Sequence, residues 1–158
     1  MGEFNAVSAF VRPSFGLMAA IWAGRTRPGA AIAVLDGAAR LGTKILVAGG
    51  GRCNVTHDQV DERAYAGSTP AAIRKVLRRF DVPQTVAFFA DLGVPLKREK
   101  TGKLFPTSDS ARTVLDALLA AARRSGAELL NGRRVKQVAH TPQGSTATGA
   151  WGQAAAPT

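Results

Sequence analysis

What this 158-residue sequence lacks narrows its possibilities before any motif is read. It has one cysteine, Cys53, so an internal disulfide, a dithiol redox pair and an all-cysteine zinc site are excluded. Aromatic residues make up only 6% of the chain and form no stripe on which bases could stack. No apolar run approaches the ~20 residues a membrane-crossing helix requires. The stretch from Phe15 to Ala23 is too short, and it lacks the basic flank of a secretion signal. Acidic residues are scarce, 11 against 21 Lys and Arg, which leaves a net charge of +10. Such a balance raises the possibility of nucleic acid. The cations, however, are scattered in short pairs from Arg12 to Lys136, with no helix-turn-helix or zinc spacing among them. The expectation is a cytoplasmic chain without a membrane or nucleic-acid partner.

What is present has globular composition, 46% apolar and 20% charged, in a length suited to one domain. "NAVSAFV" reads as a short strand, "LMAAIWAG" as a helix ending at Gly24, and Ala31 to Leu35 as a second strand closing on Asp36. Strand, helix and strand within about thirty residues form a βαβ unit, which implies parallel pairing.

Two helices are expected between about residues 68 and 93. Ser68 or Thr69 caps the first and Asp81 the second, with Pro70 and Pro83 in their opening turns and Gly93 as the stop. "VPLKRE" and "KLFP" flank a hairpin-like turn at Thr101-Gly102. A longer amphipathic helix follows from Ala111, capped by Ser108 or Asp109 and stopped near Gly126. "AELLN" and "RRVKQV" read as a strand or two. From His140 the chain loses apolar periodicity and becomes rich in Gly, Ala, Thr and Pro, which predicts a disordered tail over 139–158 in which Trp151 has no packing partner.

The most unusual stretch is "AGGGRCN". Three consecutive glycines permit backbone conformations that other residues resist, and they leave room for a flat ligand beside the main chain. Arg52 offers a cationic fork, and Asn54 and Thr56 offer hydrogen bonds. The alternative is a mobile glycine loop with Arg52 in solvent. Asp36 lies twenty residues past Gly16 at the end of a strand, the spacing at which dinucleotide-binding folds place the acid that bonds a ribose. A structural βαβ unit without a ligand fits the same spacing. Cys53 and His57 are read as a small half-buried residue and a surface histidine, and no metal cluster or hydrolytic triad is present.

"LMAAIWAG", "AVLD", "LGTKILVAGGGRCNVTH", "LGVPLKREKTGKLFPTSDSARTVLDALL" and "GAELLNGRRVKQV" occur in one order. Together they resemble the N-terminal part of the BaiN-type, aminoacetone-oxidase-like NAD(P)/FAD-dependent oxidoreductases, over most of Leu17 to Val138. The resemblance implies an α/β, partial Rossmann-like FAD-binding domain of the two-dinucleotide-binding-domain flavoprotein type. It implies FAD as cofactor, NAD(P)H as a possible electron donor and a small-molecule substrate in full-length relatives. Gly16 would remain from the phosphate turn, Asp36 would bond the adenosine ribose, and Val135 would lie near the adenine through its backbone. Lys44, Gly49, Gly50, Gly51, Arg52, Cys53 and Asn54 would run beside the flavin and pyrophosphate.

Val11 and Pro13 stand where family members carry phosphate-loop glycines. A β-branched residue opposes the tight turn, and proline offers no N–H to a phosphate. The chain matches only about the first third of the family's length. Residues 1–138 are therefore expected to form an incomplete FAD-binding domain, an N-terminal fragment with impaired cofactor binding. The other reading is a catalytically silent basic interaction module or a non-functional truncated product.

Overall fold

The computed structural model describes residues 6–9 and 13–157, with side chains from Phe15 to Ala156. Val11 lies outside the described residues. Residues 1–44 with 118–158 form one compact unit, and residues 45–117 form a second.

The first unit is built on a parallel sheet of β1 (Ala6–Ala9), β2 (Ile32–Leu35) and β6 (Ala127–Leu130), in the order β1-β2-β6. The sequence specifies β2 as the middle strand, because Ile32, Ala33, Val34 and Leu35 are all buried and only a strand covered on both faces reads as a continuous apolar run. Helix α1 (Pro13–Thr26) joins β1 to β2, and its Leu17, Ala20 and Ile21 are fully buried. It begins four residues before the apolar pattern shows, with Pro13 in its first turn, where a missing N–H costs nothing. It extends past Gly24, which is small because the end of α5 (Ala111–Arg124) brings Ser125 against it.

The expected disordered tail does not exist. β7 (Gln137–Thr141), β8 (Gly144–Gly149) and β9 (Gly152–Pro157) form an antiparallel meander. Its Ala147 and Ala154 pack on Ala33 and Leu35, joined by Leu130, Val135 and Trp151. Trp151, expected to lack a partner, donates its indole N–H to the Arg134 carbonyl at 2.9 Å and lies under the Arg133 guanidinium. The inward residues here are alanines rather than large aliphatics. A period-two pattern written in small residues carries too little contrast to read as a strand.

The second unit holds the antiparallel sheet β3 (Thr56–His57), β5 (Lys103–Pro106) and β4 (Leu96–Arg98), in the order β3-β5-β4. Two short helices accompany it, α3 (Pro70–Leu77) and α4 (Val82–Asp91). Thr69 caps α3 through its hydroxyl, and Asp81 with Gln84 makes a full capping box on α4. Phe88 and Phe89 are buried and meet edge to face, with Phe80 against Phe88 in the same manner. Residues 111–117 of α5 belong to this unit and bury Ala111, Val114 and Leu115. Among the described residues no helix is long and apolar enough to cross a membrane.

Candidate functional site

Strand β2 ends by delivering Asp36 to the carboxyl edge of the parallel sheet, the edge at which open α/β sheets take ligands. Asp36 is only 6% exposed. Its Oδ1 accepts from the Ala38 N–H at 2.9 Å, which is a turn closed by its own side chain. Its main chain is held by Leu130 and Arg133 on the neighbouring strand and loop. Oδ2 is buried and accepts nothing, the one such side-chain atom among the described residues. A buried carboxylate oxygen without a donor is costly, so this oxygen is poised for a donor from outside the chain.

The surroundings of Asp36 are tight. A Cβ at Gly37 would lie 3.0 Å from that of Arg134. The Gly132 N–H and the Asn131 amide bond the carbonyls of Ala38 and Ala39, tying the loop after β2 to the loop after β6. Val135 follows in this second loop, and its side chain packs on the apolar cluster beneath the meander. Gly16 is buried in the first turns of α1.

In the second unit the glycine run leaves α2 (Thr43–Val47) and turns sharply as a 3-10 segment. Gly49, Gly50 and Gly51 have φ of 56°, 68° and 85°, and Cys53 follows at 63°. This succession of left-handed residues needs glycine wherever a Cβ would otherwise meet the next carbonyl. The three glycines differ in what they face. A Cβ on Gly49 would lie 2.8 Å from both the Asn54 nitrogen and Phe105 Cε1, while Gly50 has nothing within 4 Å and Gly51 only the Leu46 carbonyl at 3.8 Å. One glycine is therefore pressed against the protein, and the next two present bare main chain to open space.

Arg52 is not left in solvent. Its Nη1 donates to Glu99 Oε1, lies 3.6 Å from Asp109 Oδ1, and its guanidinium sits 4.1 Å over the Phe105 ring. The hydrogen bond to Glu99, above all, raises its pKa. Asp109 also takes the Lys97 ammonium, and these cations hold its carboxyl below the usual range. Asp109 was expected as a candidate cap for α5, and its carboxylate turns to Lys97 and Arg52 instead. Glu99 and Phe105 were not among the residues singled out from sequence, and Asp109 was read only as a cap, although all three lie in the block "LGVPLKREKTGKLFPTSDSARTVLDALL".

Cys53 is buried, and burial raises its thiol pKa, which disfavours the thiolate. Asn54 and Lys44 are exposed. His57 lies in β3, where its Nδ1 accepts from the Gln59 N–H at 3.1 Å and its Nε2 then donates to the Thr101 carbonyl at 2.8 Å. The Asp58 oxygen 2.9 Å from Nδ1 becomes a partner only when the ring is doubly protonated. The histidine thus fastens the β4–β5 turn. Beyond it, an open groove of about 450 Å³ runs between residues 55–65 and helices α3 and α4, walled by Val60, Tyr65, Leu77 and Phe80. No group of His, Cys, Asp and Glu among the described residues could hold a metal ion.

Comparison with known proteins places these features. Residues 13–155 match the HI0933-like protein Rossmann domain. The 3-dehydro-bile acid delta(4,6)-reductase of Clostridium scindens is 36% identical over 129 residues, which are 82% of this chain and 31% of that protein. Ribosomal RNA dihydrouridine synthase of Haemophilus influenzae is 28% identical over 110 residues, 70% of this chain and 27% of that protein. The chain thus spans less than a third of the length of these curated relatives. Among solved structures, THI4 of Thermovibrio ammonificans has a TM-score of 0.55 at 14% identity over 92% of this chain and 48% of its own, which is a likeness of fold. Because the family match runs from the first residue of α1 into the last strand of the meander, the chain belongs to the HI0933-like protein Rossmann-domain family.

Proposed function

We infer that this chain is the FAD-holding part of an oxidoreductase that moves hydride between FAD and either NAD(P)H or an organic substrate. The observation that carries this reading is the unpartnered Asp36 Oδ2. A ribose hydroxyl is a donor of the kind this buried acceptor lacks. The main chain bared at Gly50 and Gly51 gives a planar ring a surface to lie along. Asp36 would hold the adenosine ribose, and the Gly49–Asn54 segment would flank the flavin. Bound flavin supplies the electron-transfer chemistry, while the protein supplies position and electrostatics.

On its own the chain is expected to hold FAD weakly, since Pro13 opens α1 without an N–H to offer a phosphate. Titration of the purified chain with FAD, read by quenching of flavin fluorescence, tests the reading. Saturable binding that weakens about tenfold in Asp36→Asn supports it. Binding that is indifferent to Asp36, or no binding at any concentration, overturns it.

A second reading, a basic interaction module, is favoured by one specific feature. Residues 1–44 with 118–158 carry ten Lys and Arg against three Asp and Glu, whereas residues 45–117 carry eleven against eight. The contact of Gly24 with Ser125 brings the ends of α1 and α5 together. Two arginine pairs about a hundred positions apart, Arg25 with Arg27 and Arg123 with Arg124, stand exposed at the ends of these two helices. No described acid forms an ion pair with Arg27, Arg123 or Arg124. Arg25 lies over the half-exposed Trp22 ring. Guanidinium groups beside an indole suit the phosphates and bases of RNA, and one relative by its name acts on ribosomal RNA. Anisotropy of a labelled single-stranded RNA should then show salt-sensitive binding that Arg123→Glu with Arg124→Glu abolishes and the charge-matched Arg78→Glu with Arg79→Glu retains. Equal loss in both variants would reduce the effect to net charge.

A further inference from the structure

We propose that Arg52, Glu99 and Phe105 form a positioning clamp that sets the shape of the glycine turn, and that Arg52 acts through this clamp rather than as a ligand to the cofactor's phosphates. The inference rests on the flavin reading for its purpose, but its geometry lies entirely within the second unit.

The turn is expensive to hold. Four residues between Gly49 and Cys53 have left-handed φ, and one of them, Cys53, has a side chain that resists it. Two main-chain hydrogen bonds close it, Cys53 N–H to Ala48 O at 2.9 Å and the longer Arg52 N–H to Gly49 O at 3.4 Å. Such a segment stays in one conformation only if its surroundings over-determine it. The surroundings come from β5 and its flanks. Phe105, 3% exposed, sets its ring edge where a Gly49 side chain would be. Arg52 covers the face of that same ring. Its guanidinium is turned to Glu99 on one side of the β4–β5 turn and to Asp109 beyond β5. Leu104, next to Phe105, accepts from the Val55 N–H just past the turn at 2.9 Å. The ring is thus held between Gly49 and Arg52, and the acids keep the guanidinium over it.

This arrangement is a poor phosphate site. A phosphate brought to Arg52 would face the Glu99 and Asp109 carboxylates, with Lys97 as the one further cation engaged there. It is a good buttress, because a planar cation over an aromatic face has a preferred geometry that a lysine would not reproduce.

The two roles predict opposite results for Glu99→Gln. If Arg52 were a phosphate ligand, removing its competing carboxylate would leave FAD binding unchanged or tighter. As a clamp, Arg52 loses its anchor, and FAD should bind about tenfold more weakly. Amide hydrogen exchange at Gly50, Gly51 and Cys53 in the chain without FAD should then accelerate at least about tenfold, while amides of α4 keep their rates. Phe105→Leu should reproduce both effects, and Arg52→Lys should do so despite keeping the charge. Unchanged exchange in the turn together with undiminished FAD affinity in Glu99→Gln overturns the clamp. If even the unaltered chain binds no FAD, the flavin reading fails, and the exchange measurement still decides the clamp.

Discussion

At the carboxyl end of β2 a single oxygen atom carries most of the proposed function. Asp36 is buried with one of its two carboxylate oxygens unpartnered, and its place twenty residues beyond Gly16, at the end of a strand, is legible in the sequence. That it lacks a partner was not legible, because satisfaction depends on the loop after β6, whose proximity only the fold creates. Burial without a partner also predicts a trade between stability and binding. Asp36→Asn removes a buried charge and keeps the Oδ1 bond to Ala38. The unliganded variant should therefore melt no lower than the parent, even as FAD affinity falls; calorimetry with and without FAD reads both. The glycines make a sharper comparison. Gly49→Ala places a methyl group 2.8 Å from Phe105 and the Asn54 nitrogen at positive φ, and should cost about 3 kcal/mol. Gly50→Ala meets nothing within 4 Å and should cost only about 1 kcal/mol through its backbone conformation. Urea midpoints separate the two. Equal losses would mean that the packing against Phe105 contributes nothing.

Elements with local signals were readable, and those without were not. Thr69, Asp81, Pro70 and Pro83 announce α3 and α4 because caps and first-turn prolines act within four residues of themselves. The start of α1 was missed, since "PSFG" precedes the apolar run and carries no helical periodicity of its own. The strands β8 and β9 were missed, and β7 was met only at its first two residues, because the inward face of the meander is built from alanine. A salt bridge between elements contributes to the pH dependence of the second unit. Glu62, in the turn before α3, is bound through its carboxylate by Arg74 of that helix, and this hydrogen bond lowers its pKa to about 2. A free glutamate titrates near ~4.3. The folded state therefore gains from Glu62 in full above that value, and the gain disappears as pH falls through about 2. Glu62→Gln should flatten the dependence of stability on pH between roughly 5 and 2, while leaving the slope above pH 6 unaltered. An acid titration of both proteins at fixed urea checks it.

For the whole molecule, the class of fold and the family were legible, and the division of labour between its parts was not. The βαβ pattern announces a parallel sheet. The sequence does not announce that the second face of β2 is covered by the last twenty residues. Ala33 and Leu35 would otherwise be open to water, so the meander is part of the core of the first unit. Ala147→Asp should accordingly cost about 3 kcal/mol or more by burying an unpaired charge, and Ala155→Asp, on the exposed side of β9, less than about 0.5 kcal/mol. Comparable, negligible effects in chemical denaturation would return the tail to disorder. The scattered cations follow the same lesson, since arginines about a hundred positions apart stand at the ends of α1 and α5, which meet at Gly24 and Ser125.

The contact between Gly49 and Phe105 has a bearing on engineering and on descent. Two sequence blocks more than fifty positions apart are halves of one part, so neither can be transplanted alone. A scaffold given only the triple glycine would inherit a floppy hinge, and one given only the later block would inherit a ring with nothing to brace. Divergent members that alter one half are expected to carry a matching change in the other.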